Sequence, residues 1–330
     1  MSDIAEKLNV STVTVSKALA GKEGVSDELR SEILRMAESM GYQKRGNKAK
    51  DLSAGYTVGI VTSRKYIEKG HSFYWTLYER LLTYLSQKGH VAILEVVSEE
   101  DEDMLILPRL IQEGRVDGLI VMGSFSDAYR ESIAAAGTPF VALDSFHAKF
   151  RQDSIISDGY YGMYVMTHHL LRMGHKDIMF VGSIDATSSI TDRYYGYCRA
   201  MLEAGLPVGK DAVLPDRGAD GKLTISLDKL THLPTAFACN CDITAYTLLG
   251  LLKDRGVRVP EDVSLVGFDN FILSELAVPQ ITTYAVDVDR MAMEGAEQMI
   301  HRIANPASPM RRIVVSGSII MRDSVMRLTK

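Results

Sequence analysis

The residues with the most chemistry to offer fall in two places. Near the N-terminus, Thr12, Val13, Ser16 and Lys17 share the outer face of a segment with helical spacing. Short hydroxyl side chains suit phosphate oxygens, and a lysine reaches a guanine edge or a phosphate. Val13 can give only apolar contact, for instance to a thymine methyl. The second set follows a series of short apolar runs: Thr62-Ser63, Ser98, Gly123-Ser124, Asp144-Ser145, Gly182-Ser183, Asn240 with Asp242, and Asp269-Asn270. Carboxylates and amides accept from hydroxyls, and neighbouring hydroxyls are what a sugar presents. Taken singly, each of these residues reads equally well as a loop cap or turn residue.

The N-terminal set needs a frame to hold it against a groove. Ile4, Ala5 and Leu8 form one apolar stripe, Asn9 and Val10 interrupt it, and Ser11 stands where an N-cap belongs. Val15, Ala18 and Leu19 resume the stripe until Gly21. Ser26 is a second N-cap, and Ile33, Leu34 and Ala37 make the inner face of a third helix. Two short helices across a tight turn, followed by a third, are the pattern of a helix-turn-helix. An ordinary small helical domain with capped and solvated hydroxyls fits the same residues.

The second set needs strands. Apolar runs at 57–62, 91–97, 116–122 and 140–143 alternate with helical patterns at 75–88, 104–113 and 127–136. The rhythm restarts at Gly159, with helices predicted at 163–173, 194–204, 243–255 and 288–303. Strands fall at 178–181, 212–213, 236–239 and 263–268. Strict alternation means parallel sheets covered on both faces, and two successive runs mean two such units. Ligands of such sheets bind beyond the carboxyl ends of the strands, which is where the polar set lies.

Composition narrows the class. The chain has 330 residues, 46% hydrophobic and 24% charged, as in a globular protein of two or three domains. Its net charge of −5 is not that of a uniformly basic nucleic-acid binder. Residues 1–50, however, hold 9 Lys/Arg against 7 Asp/Glu, and Lys44, Arg45, Lys48 and Lys50 cluster without an acid. That confines phosphate attraction to one end, although a solvated linker would look the same. Three cysteines, Cys198, Cys239 and Cys241, do not make a zinc ribbon and fit reduced thiols in a cytoplasm. No apolar run reaches membrane-spanning length and no signal segment opens the chain, so a cytoplasmic protein is expected. Nucleophile-elbow, zincin, phosphate-loop and dinucleotide motifs are missing, so no catalytic residues, metal or cofactor are expected.

Three head segments, Val10–Leu19, Gly24-Val25-Ser26 and Ala37–Tyr42, agree in order and spacing with the start of LacI/GalR regulators, which the chain resembles. Lys17 stands where the family has Arg, which keeps charge but loses the planar fork. The resemblance continues through Arg115–Val121, Asp158–Gly162, His168–Leu170, Gly174–Ile178, Arg193–Tyr197, Asn240–Ala245, Val259–Asp269 and Pro279–Thr283.

What the resemblance implies is specific. The fold is an N-terminal helix-turn-helix head on a periplasmic-binding-protein-like core of two Rossmann-like lobes, joined by crossovers near Asp158, Tyr284 and Ser316. The head would span 1–45, a linker or hinge 46–56, and the effector core 57–330. Its N-lobe would be about 57–157 and 285–315, its C-lobe about 158–284 and 316–330. Ser11, Thr12, Val13, Thr14, Ser16 and Lys17 would meet operator DNA. Leu52, in Ala49-Lys50-Asp51-Leu52, would wedge the minor groove from a hinge helix. The family's Pro-Asn is missing before it and Gly46 disfavours helix, so a plain tether is the equal alternative. Effector contacts transfer to Arg193, Asp242 and Asp269, with Phe268 as a stacking wall, beside Asn240 and Asp144. Phe73 and Tyr74 lie where the family puts its first pocket loop, but His71-Ser72 replaces the usual Asn-Pro. The expected partners are double-stranded operator DNA, a sugar or sugar phosphate effector, and a second copy in a homodimer. A sugar-uptake receptor of the same core fold is the alternative function, but it would not begin with such a head.

Overall fold

A computed structural model describes residues 2–8, 10–19, 24–39, 55–67, 73–147, 152–218, 221–230 and 232–328. The chain divides into two units, Met1–Ala54 and Gly55–Lys330.

In the first unit, α1 (Ser2–Lys7), α2 (Thr12–Leu19) and α3 (Asp27–Ser39) enclose a small core of Ile4, Ala5, Val15, Ala18, Ile33 and Ala37. The caps fall where side-chain chemistry puts them. Ser11 Oγ accepts from the Thr14 N–H at 3.0 Å, and Ser26 Oγ accepts from Leu29 N–H at 3.4 Å. Leu34, expected on the inner face of α3, is 48% exposed. Ile33 and Ala37, four apart, already fill the seam, and Leu34 lies 100° round from Ile33. The expected hinge, with Leu52 and the cluster Lys44–Lys50, lies outside the described residues, as do His71 and Ser72.

The second unit holds two six-stranded sheets. The first contains β1 (Thr57–Ser63), β2 (Val91–Val97), β3 (Gly118–Met122), β4 (Phe140–Leu143), β5 (Asp153–Ser157) and β11 (Arg312–Val315), in the order β11-β5-β4-β3-β1-β2 and wholly parallel. The second contains β6 (Ile178–Val181), β7 (Val213–Leu214), β8 (Ala236–Cys239), β9 (Ser264–Asp269), β10 (Thr282–Ala285) and β12 (Ser318–Ile320), in the order β12-β10-β9-β8-β6-β7. The sheets are thus largely parallel, as expected, with β12 antiparallel to β10 at one edge.

Helices cover both sheets. The first carries α5 (Phe73–Gln87), α8 (Asp127–Ala135) and α13 (Val288–Ala304); the second carries α9 (Gly159–Arg172), α10 (Ser188–Glu203) and α11 (Asp242–Asp254). Leu77, Leu81 and Leu85 recur every fourth residue on α5 and are fully buried. Each contributes about 2 kcal/mol of apolar burial. The chain passes from one sheet to the other after β5, after β10 and between β11 and β12. The second lobe therefore begins beside Asp158, which caps α9 by accepting from Tyr161 N–H at 3.1 Å.

Several elements differ from the sequence reading. The helix expected over 104–113 is two short pieces, α6 (Glu99–Asp103) and α7 (Arg109–Gln112). Ser98 caps α6 early, Leu105 takes a positive φ of 57°, and Pro108 restarts the helix. The strand expected at 212–213 is shifted by one residue, to β7. Four strands, β5, β10, β11 and β12, are not among those expected from the sequence. They are short, and Ser154, Ser157, Thr282 and Thr283 break the apolar run that marks a buried strand.

Candidate functional site

The head places α2 as a helix whose inner face is Val15 and Ala18. Lys17 and Ser11 are exposed and Thr14 is half-buried. The hydroxyls of Ser11 and Thr14 lie 2.8 Å apart, so one donates its proton to the other, and the acceptor of that bond keeps its own proton for a phosphate oxygen. Thr12, Val13 and Ser16 lie on α2, and their side chains are outside the described set.

In the second lobe the site is organised around Arg193. Gly196 lets α10 press onto α9; a Cβ there would fall 2.0 Å from the Tyr160 carbonyl oxygen. That approach fixes Arg193, one turn earlier, with only 6% of its surface open. Its Nη1 donates to the Asn240 carbonyl at 2.6 Å and its Nη2 to Asp269 Oδ1 at 2.8 Å. The guanidinium lies 3.9 Å from the Phe268 ring centroid, so Phe268 is the wall beneath it. Burial raises the Asp269 carboxyl, and Arg193, followed by Arg217, pulls it back.

Asn240 and Asp242 lie in the same place and spend their side chains within the lobe. Asn240 Nδ2 donates to the Val181 carbonyl at 2.9 Å and to Asp216 at 2.7 Å. Asp242 is fully buried at the start of α11, accepting from Thr283 Oγ1–H and from Phe271 N–H, both at 2.7 Å. Gly267 makes room for that carboxylate: a Cβ there would sit 2.1 Å from Asp242 Oδ1. Burial, with Asp269 nearby, pushes the Asp242 carboxyl up to about 8.

The first lobe contributes Asp144, at the end of β4 and nearly buried. Tyr74 Oη–H donates to its Oδ2 at 2.7 Å. Tyr74 packs against Tyr66 at 4.5 Å between centroids with the rings tilted by 41°, and Phe73 meets Tyr74 edge-on at 5.3 Å. Burial pushes Asp144 up to about 6; the Tyr74 bond and Arg193 oppose that, and Asp269 adds to it. Asp144 thus feels charges of the other lobe. Asp144 and Asp269 both hold positive φ, 59° and 102°, a strained backbone of the kind that gathers at ligand sites.

Sequence reasoning missed Tyr66, Asp216 and Arg217. The last two follow β7 with only Pro215 between, so the strand-end rule points to them once that strand is placed one residue later. Asp158 caps α9 and lines a separate open groove of about 650 Å³ with Ser157, Asp192, Arg199 and Arg312; no residue of the Arg193–Asp269 cluster lines it.

A helix-turn-helix head followed by a two-lobed core with polar groups gathered at the strand ends fits a DNA-binding regulator with an effector-binding core. Known proteins agree. Residues 1–44 match the family described as bacterial regulatory proteins, lacI family, and residues 167–325 match the periplasmic binding protein-like domain. The repressor PurR of Vibrio parahaemolyticus is 26% identical over 99% of both chains, and the probable repressor ExuR of Bacillus subtilis is 24% identical over 100% of this chain and 99% of its own. A regulator CelR in complex with cellobiose superposes with a TM-score of 0.72 at 24% identity, covering 97% of this chain and 98% of that one. A LacI family regulator from Enterococcus faecium with bound ribose gives 0.70 at 26% identity, over 83% of this chain and all of that one. The chain belongs to the lacI family of bacterial regulatory proteins. Among its described residues no helix is long and apolar enough to cross a membrane.

Proposed function

We propose that the protein is a repressor whose affinity for operator DNA is set by a sugar bound between the two lobes. The observation that supports this is the pairing of Asp144 with Tyr74 in one lobe and of Arg193 with Asp269 in the other, near enough for both charges to act on the Asp144 carboxyl. Two carboxylates that accept and a guanidinium that donates suit the vicinal hydroxyls of a sugar. The cellobiose and ribose complexes of similar regulators support the same ligand class. Ser11, Thr12, Val13, Thr14, Ser16 and Lys17 are the proposed DNA face, with Leu52 as the wedge of the linker. Two copies, each reading half of a pseudo-palindrome, extend the short recognition surface. A sugar that holds the lobes closed shifts them relative to each other and alters head spacing, with a coupling of about 1–3 kcal/mol.

Enrichment of random duplexes on the full chain should recover a pseudo-palindromic site, with affinity falling steeply as salt rises. A sugar found by thermal shift should change that affinity about fivefold or more. Recovered sites without two-fold symmetry would remove the dimer, and affinity indifferent to every stabilising sugar would remove the coupling.

A further inference from the structure

The open groove of about 650 Å³ that lies apart from the Arg193–Asp269 cluster is built by both lobes, and its size is that of a small-molecule site. One wall is α10, where Asp192, Tyr195, Arg199 and Leu202 follow each other at three- and four-residue steps and so share a face. Another is β11, where Arg312 and Val314 are exposed and alternate with the more buried Ile313 and Val315. Tyr195, Leu202 and Val314 give the groove an exposed apolar surface.

Two opposite charges border this space from different lobes without meeting. Asp192 is half-buried, and among the described residues its carboxylate makes no hydrogen bond or ion pair. The Arg312 side chain makes none either; its guanidinium rests 4.0 Å from the Phe146 ring centroid, a contact that holds it in place. Burial raises the Asp192 carboxyl, Arg312 pulls it back ahead of Arg193, and Asp158 adds to the rise. Asp192 and Arg312 are thus too far apart for an ion pair and near enough to act on each other. The other charges nearby are engaged: Arg193 with Asp269, Arg199 with Glu203, and Asp158 with the Tyr161 N–H. A half-buried carboxylate without a donor is costly. A lone cation would satisfy Asp192 and leave Arg312 unmatched, and a lone anion would do the reverse. A small zwitterion serves both: its ammonium donates to Asp192 and its carboxylate accepts from the Arg312 fork.

We propose that this groove is a second small-molecule site, for a free amino acid whose ammonium meets Asp192, whose carboxylate meets Arg312, and whose aromatic or branched apolar side chain lies on Tyr195, Leu202 and Val314. The two charge partners belong to different lobes, so an occupant favours the lobe arrangement that holds them at this separation. The site does not rest on the sugar reading above. The test is calorimetric titration of the full chain with leucine, phenylalanine, tyrosine and tryptophan, then with the amide and the N-acetyl derivative of the tightest binder. Each derivative keeps the side chain and loses one charge, and each should bind about tenfold or more weakly than its parent. Arg312→Gln should bring the amino acid down to the level of its amide, and Asp192→Asn to the level of its N-acetyl derivative. Leu202→Ala, at an exposed position, should weaken it severalfold while both charge partners stay in place. The comparison of derivatives is read on the unaltered chain, so a poorly folded variant does not decide the matter. Binding by none of the four amino acids overturns the site. So does a derivative that binds as tightly as its parent, or binding that ignores both charge substitutions. Each of these outcomes leaves the sugar reading standing.

Discussion

Replacing Asp144 by Asn should make the empty protein more stable and the effector site worse. Asp144 is nearly buried and its carboxyl is pushed from an ordinary 3.8 to about 6. The folded chain therefore holds that proton more tightly than the unfolded chain does. The stability lost to the charged carboxylate is full above about pH 6 and vanishes below 3.8. Taking those values, the loss is under about 1 kcal/mol near pH 4 and about 3 kcal/mol near pH 8. Asparagine has nearly the same shape, its oxygen can still accept from Tyr74, and it carries no charge to desolvate. Urea unfolding of both chains across this range should show the variant's advantage rising with pH by about 2 kcal/mol. Asp242, raised to about 8, titrates in both chains and drops out of the difference. The same substitution removes one charged acceptor, so effector affinity should fall about tenfold or more. An advantage that stays flat with pH would mean that the carboxylate ionises at no cost, and the burial argument would be wrong.

Two further outcomes follow from the same geometry. Arg193→Ala should abolish the response to effector while operator binding by the head persists, read by operator titration with and without ligand; unchanged effector affinity would take Arg193 out of the site. Arg302→Met should destabilise the core by about 3–5 kcal/mol, because it leaves the fully buried Asp153 without the cation that donates to it at 2.6 and 3.2 Å. Urea unfolding checks it, and a loss below about 1 kcal/mol would mean that Arg311 N–H and rearrangement suffice for Asp153.

The sequence alone determined the order of parts and the edge on which function sits. Val15, Ala18, Ile33 and Ala37 are spaced to close a three-helix head, and the alternation of strands with helices put Asp144, Asn240 and Asp269 at the carboxyl ends of strands. These are consequences of local periodicity, which a chain carries in its order of residues. Tertiary structure alone decided which of those polar residues remain available. Asp242 and Asn240 look like Asp269 in sequence, yet their side chains are consumed by Thr283, Phe271 and Asp216, brought there from 41, 29 and 24 residues away. The raised carboxyl of Asp144, and the donors gathered on the buried Asp216, likewise depend on burial and on distant partners. Spacing along the chain shows which way a side chain faces its own element; which long-range neighbours claim its lone pairs is known only once the sheets are assembled.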